Sequence, residues 1–225
     1  MKKELEIRQK LSDKKAKIDM HNKLIQNGFC FIGNLDQFSY FFDTPEQNLS
    51  KEKIKFRIRN SLNNSSQENL LLTLKLKNMQ IIDGIREAKE YETWLNKKSI
   101  DDLNEINQVL LSFHTPELSK EIFEVSLGDD LVNYMDKRGY ELTEIIKNNR
   151  SMYKRKNIEV TIDEFHYNEK GVKLTDPQIN IEIECNSPEE LHKICEVLGL
   201  NKSENEQNTW WDACKNRKYK KDHSR

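Results

Sequence analysis

Strict alternation of apolar and polar residues recurs along this chain, and a period of two predicts β-strands. Lys3–Leu11 places Glu4, Glu6, Arg8 and Lys10 on one face and Leu5, Ile7, Gln9 and Leu11 on the other. Ile54–Arg59 sets Ile54, Phe56 and Ile58 against Lys55, Arg57 and Arg59, and Leu70–Lys77 sets four leucines against Thr73, Lys75 and Lys77. Together these two read as a hairpin joined by a polar loop at Asn60–Asn69. The same period runs through Arg86–Trp94, Tyr140–Arg150, Asn157–Phe165 and Ile179–Cys185, and the aromatic run Gln37–Phe42 reads as a buried strand.

Helical spacing falls between the groups of strands. A helix capped by Ser12 or Asp13 is expected to turn Ile18, Leu24 and Ile25 inward and to stop at Gly28. Ser99–Phe113, Leu127–Lys137 and a segment from Ser187–Pro188 to Leu198 follow the same pattern. Asp43-Thr44-Pro45 is a turn, with Tyr40 and Asp43 as secondary functional candidates. His166–Gln178 reads as an insertion containing a turn at Gly171.

Charge sharpens this picture. Exposed sheet faces ordinarily mix signs, because neighbouring strands pair acid with base. Here the signs segregate by strand: Lys55, Arg57, Arg59, Lys75 and Lys77 on the hairpin; Glu90 and Glu92, Glu159 and Asp163, and Glu182 and Glu184 on others. Like charges side by side repel unless a ligand compensates them. A barrel of about eight strands has room for both groups in its lumen. Clustered carboxylates suit Mg²⁺ or Mn²⁺, and clustered Lys and Arg match phosphate oxygens.

Composition excludes several alternatives. The 225 residues carry 37 basic and 38 acidic side chains, a net charge of −1, so the chain is not a globally basic nucleic-acid binder. No run of 18 apolar residues is present, which excludes a membrane-spanning helix. The N-terminus shows no apolar signal segment, and Cys30, Cys185, Cys195 and Cys214 form no CxxC pair, so a cytoplasmic protein with reduced thiols and no cysteine zinc site is expected. A domain over residues 1–200 is followed by a tail, 201–225, expected to dock partly through Trp210 and Trp211.

Taken in order, these motifs resemble those of the CYTH domain, in the triphosphate tunnel metalloenzyme superfamily. Glu4-Leu5-Glu6-Ile7-Arg8 is similar to the ExExK signature, with Arg8 at the lysine position and Lys10 two residues on. Tyr40 to Thr44, Arg57 with Arg59, Thr73-Leu74-Lys75, Glu90 with Glu92, Arg150, Asp163 and Glu182-Ile183-Glu184 resemble the motifs that follow. The resemblance implies an α+β fold, an eight-stranded antiparallel tunnel barrel with a charged lumen and flanking helices. It implies that Arg8, Lys10, Lys55, Arg57, Arg59, Lys75, Lys77, Lys147 and Arg150 bind a small triphosphate, and that Glu4, Glu6, Asp163, Glu182 and Glu184 bind Mg²⁺ or Mn²⁺. Glu182 and Lys75 are then the catalytic residues, a carboxylate on the closing strand orienting the attacking water. The activity implied is hydrolysis of tripolyphosphate or of a nucleoside or thiamine triphosphate. The alternatives are a class IV-like adenylate cyclase and a non-catalytic polyphosphate or nucleotide binder. Neither a nucleic-acid nor a membrane partner is expected, and the chain is read as a monomer or homodimer, with substrate selectivity in Asn60–Asn69, His166–Gln178 and the tail.

Overall fold

The computed structural model describes residues 2–62, 68–82, 85–167 and 173–200, and side chains over 5–61, 70–76, 85–167 and 173–200. Eight strands are present: β1 (Lys2–Leu11), β2 (Cys30–Asp43), β3 (Ile54–Leu62), β4 (Glu68–Ile82), β5 (Ile85–Trp94), β6 (Glu141–Arg155), β7 (Ile158–Tyr167) and β8 (Lys173–Cys185). They close into one antiparallel barrel in the order β1-β5-β4-β3-β2-β6-β7-β8. Closure comes from β1, which pairs with β5 on one side and β8 on the other, so no strand edge is left for unwanted pairing. Among the described residues five α-helices lie outside the sheet: α1 (Lys14–Gln26), α2 (Asn48–Lys51), α3 (Ile100–Ser112), α4 (Asp129–Lys137) and α5 (Pro188–Leu198). None among the described residues is long and apolar enough to cross a membrane.

Alternation decides which side of each strand is wet. The apolar faces point outward and are covered by helices. One core joins Ile7, Val160, Ile162, Ile181 and Ile183 of the sheet to Met20 and Leu24 of α1 and Leu191, Ile194 and Leu198 of α5. The other joins Phe56, Ile58, Leu72 and Leu74 to Leu49 of α2, Ile106 and Leu110 of α3 and Leu131 and Met135 of α4. The polar faces are left to line the barrel's interior. Caps fix the helix starts: Asp13 accepts from Ala16 N–H, Ser99 from Asp102 N–H and Ser187 from Glu190 N–H.

Several expectations need correction. On α1 the buried residues are Met20 and Leu24, whereas Ile18 and Ile25 are 59% and 44% exposed. The strands are longer than the alternation alone marks. β2 begins at Cys30 and β6 reaches Arg155, and the two pair along nearly their whole lengths across two bulges. The segment read as an insertion is mostly strand, since β7 continues to Tyr167 and β8 starts at Lys173, with Tyr167 opposite Lys173. The polar loop at 60–69 likewise shortens, Asn60 to Leu62 and Glu68 to Asn69 being strand. Trp210, Trp211 and Gly171 lie outside the described residues.

Asp43 is a structural residue. Buried at the end of β2, it accepts hydrogen bonds from the backbone N–H groups of Thr44 (2.8 Å), Leu49 (3.0 Å) and Ser50 (2.9 Å), and from the Ser50 hydroxyl. It therefore ties the turn and α2 to the barrel, while Tyr40 packs outward against the second core. Asp43→Ala leaves three N–H donors without their partner, and a loss of about 2–4 kcal/mol is expected from urea unfolding. An unchanged midpoint would show that the turn holds without Asp43.

Candidate functional site

The lumen is built from the inward positions of each strand. β1 supplies Glu6 and Arg8, β3 Lys55, Arg57 and Arg59, β4 Thr73 and Lys75, β5 Arg86, Glu90 and Glu92. From the other half come Gln37 and Ser39 of β2, Asn148 and Arg150 of β6, Asp163 of β7, and Asn180, Glu182 and Glu184 of β8. The register sets like charges face to face, Lys55 opposite Lys75 and Glu6 opposite Glu184. Compensation comes from other pairings. Arg8 pairs with Glu182, and Lys75 Nζ lies 2.8 Å from Glu6 and 3.0 Å from Glu90. Arg150 holds Asp163 through both oxygens, at 2.7 and 2.6 Å, and Asn148 donates to the same carboxylate at 2.7 Å.

These pairings show in the ionisation of the groups. Burial pulls the Arg8 guanidinium down, but the carboxylates of Glu182, Glu6 and Asp163 outweigh it and raise it overall. Arg150 is raised in the same way, burial being overcome chiefly by Asp163. Glu182 is pushed up by burial yet ends well below the usual carboxylate range, held there by Arg8, Lys75 and Arg150. Arg59 behaves oppositely. Burial, then Arg57 and Arg150, pull it down to about 9. Asp163 and Glu90 pull the other way, and at neutral pH it remains a cation.

The side chains of Arg57 and Arg59 make no hydrogen bond or ion pair with any described residue, and the Nε atom of each is shielded from solvent without a partner among them. With Arg8 and Arg150 they line a cavity of about 50 Å³. One water needs roughly 10–15 Å³ on the same measure, so a few waters or an oxyanion fit. Beside it, carboxylate oxygens of Glu6, Glu182 and Glu184 lie within 4.8 Å of one another. Three hard oxygen donors at this spacing fit Mg²⁺ or Mn²⁺. Arg8 belongs to both groups, since it lines the cavity and pairs with Glu182.

Of the residues picked out by sequence, Glu6, Arg8, Lys55, Arg57, Arg59, Lys75, Arg150, Asp163, Glu182 and Glu184 share the lumen. Asp163 is committed to Arg150 and Asn148 and stands outside the three-carboxylate group. Lys10 follows the lumen face of β1 but is exposed where the strand ends. Lys147 is a correction: it lies on the outer face, its Nζ 5.1 Å from the Phe38 ring centroid. It stands three residues from Arg150, and odd spacing in a strand reverses the face. Glu4 and Lys77 sit on described strands, with side chains outside the described ones. Arg86 was missed. It is buried, with Nη1 4.0 Å from Glu6 Oε1. Its signal was its even spacing from Glu90 and Glu92. The amides Asn148 and Asn180, two residues from Arg150 and Glu182, share that even spacing and line the cavity with Gln37, but as neutral side chains they carry no charge signal.

A family model described as CYTH domain matches residues 2–208. The PH1012 protein from Pyrococcus horikoshii OT3 is similar in structure, with a TM-score of 0.57 at 16% identity over 93% of this chain and 98% of that one. The putative adenylyl cyclase HpAC1 from Hippeastrum, described as having a dominant triphosphatase activity, gives 0.55 at 20% identity over 88% of each chain. A putative adenylate cyclase from Vibrio parahaemolyticus gives 0.57 at 14% identity over 93% and 95%. No curated protein matches in sequence. At these identities the solved structures establish a shared fold.

Arg57 and Arg59, without side-chain partners among the described residues, make a thermodynamic prediction. Replacing a desolvated charge that has no direct ion-pair partner by an apolar side chain of similar length removes its desolvation penalty, a gain of about 1–3 kcal/mol by analogy with replaced buried ion pairs. Arg59→Met is therefore expected to raise the urea midpoint of the ligand-free protein at pH 7 and to shrink the rise in Tm caused by tripolyphosphate. A lower midpoint would mean that Arg59 is compensated within the fold.

Proposed function

Because the chain belongs to the CYTH family, we propose that it is a divalent-metal-dependent hydrolase of a small triphosphate, either inorganic tripolyphosphate or a nucleoside or thiamine triphosphate. The observation that carries this reading is the pair Arg57 and Arg59, their Nε atoms shielded and their side chains without partners among the described residues, facing Arg8 and Arg150 across a cavity beside three clustered carboxylates. Four guanidiniums around a small cavity match the oxygens of a phosphate chain. In the family, the CYTH triphosphate tunnel enzymes are generally divalent-metal dependent.

Each residue then has a task. Arg57, Arg59 and Arg150 grip phosphate oxygens, and Asp163 with Asn148 keeps Arg150 in place. Arg8, Lys55 and Lys75 extend the grip, with Lys10 near the end of β1 and Lys77 two residues after Lys75 in β4. Glu6, Glu182 and Glu184, with Glu4 on the same face of β1, hold the divalent ion. When bound, that ion supplies Lewis-acid neutralisation of charge on the phosphate oxygens. Glu182 stays ionised beside Arg8, Lys75 and Arg150, and as a carboxylate it accepts the hydrogen bond that orients the attacking water. Positioning and electrostatics supply most of the catalysis in phosphoryl transfer, which is what a rigid, charged barrel provides.

Phosphate release from tripolyphosphate, ATP and thiamine triphosphate, measured with Mg²⁺, Mn²⁺ or chelator, tests the reading. Metal-dependent release from at least one of them is expected. Glu6→Gln and Lys75→Ala are each expected to lower kcat/KM about 100-fold or more, with the far-ultraviolet circular dichroism unchanged. Full activity in both variants would refute the site. Cyclic AMP as the main product from ATP would replace hydrolysis by cyclisation.

A further inference from the structure

Lys75 is shared between two buried carboxylates. Its Nζ lies 2.8 Å from Glu6 Oε2 and 3.0 Å from Glu90 Oε1. The two acids differ in their surroundings. Glu6 belongs to the carboxylate group that fits a metal ion, whereas Glu90 does not. Glu90 faces Lys75 directly across the β4–β5 pair, and Glu6 reaches it from β1. The arrangement is echoed on the other side of the group, where Glu182 is paired with Arg8. Two of the three carboxylates that fit a metal are therefore counter-ions of cations that fit a phosphate chain.

We infer that Glu90 is a positioning residue for Lys75, and that this shared lysine makes a divalent cation and a triphosphate mutually dependent ligands of the tunnel. A divalent ion arriving at Glu6 displaces the ammonium from that carboxylate. Stripping a buried charge of its only partner is strongly unfavourable, but Glu90 keeps Lys75 neutralised and inside the lumen. A triphosphate then finds the lysine half released. In the opposite order, phosphate oxygens draw Lys75 off Glu6 and leave that carboxylate in need of a cation. Each ligand relieves the penalty the other meets, and such coupling is reciprocal. The inference rests on the proposed triphosphate site for the identity of its anion.

The test is Mn²⁺ titration calorimetry on the full chain, alone and with imidotriphosphate, a tripolyphosphate analogue with nitrogen bridges. A metal that touches both protein and phosphate would by itself bind more tightly with the analogue, so two variants make the distinction. Lys75→Met takes the ammonium off Glu6, leaving Arg86 at 4.0 Å, and it is expected to bind Mn²⁺ alone at least about 5-fold more tightly than the parent and to gain less from the analogue. Glu90→Gln leaves Lys75 leaning on Glu6, and it is expected to bind Mn²⁺ alone at least about 5-fold more weakly and to gain more from the analogue. A folding defect moves both affinities downward. Both variants weaker, or either one unchanged, overturns the inference. Opposed shifts in a protein that hydrolyses no triphosphate would uphold the inference and reject the hydrolase reading. Hydrolysis with unshifted Mn²⁺ affinities would reject the inference alone.

Discussion

Charge compensation inside a closed sheet is the constraint on which this molecule depends. An eight-stranded barrel of ordinary kind fills its interior with apolar side chains. Here the interior belongs to Glu6, Arg8, Arg59, Lys75, Arg150, Asp163 and Glu182, and the apolar faces look outward. Everything external follows from that inversion. A sheet that is apolar on its outer side must be covered, so α1 and α5 bury one half and α2, α3 and α4 the other. The hydrophobic core is thus split into two clusters. Closure through β1 then removes the edges that two such half-sheets would otherwise expose.

Compensation within the lumen is deliberate but incomplete. Arg8, Lys75 and Arg150 each meet a carboxylate, while Arg57 and Arg59 meet none among the described residues. A buried unpaired charge is penalised by several kcal/mol, and two side by side add their mutual repulsion. Folding alone gives no reason to keep them. Their place is explained if an anion completes the set, in which case the imbalance is what drives binding. Local conflict of this kind, inside a fold otherwise consistent in pattern, caps and packing, is where a functional site is expected.

The barrel, and which of the picked residues share its lumen, were legible because a period of two fixes the face of every residue in a strand. Glu6 with Arg8, Arg57 with Arg59 and Glu182 with Glu184 are each two apart and share the lumen. The same rule excludes Lys147, three residues from Arg150, and it includes Arg86, which is even-spaced from Glu90. Strand lengths were harder. Cys30 to Asp36 contains Gly33, with an adjacent bulge, and Lys173 to Gln178 contains Pro177, so neither carries a clean alternation even though the neighbouring strands hold both in register. On α1 the hydrophobic spacing is weak and Lys-rich. Packing against the sheet chose Met20 and Leu24 over Ile18 and Ile25. Which carboxylate takes which cation is set across strands far apart in sequence, as with Glu6 and Lys75, and no local pattern contains it.

Arg8 shows how one residue type alters such a network. A lysine at this position would offer a compact ammonium with three donors at a single point. The guanidinium is a planar fork with five donors. It reaches Glu182 and still lines the cavity beside Arg57 and Arg59. Arg8 therefore belongs to both the carboxylate group and the arginine group. Opposite Arg8, Lys75 plays the corresponding part between Glu6 and Glu90. Two bridging cations on β1 and β4, each tied to a metal-fitting carboxylate, make the tunnel one electrostatic unit rather than an acidic half and a basic half.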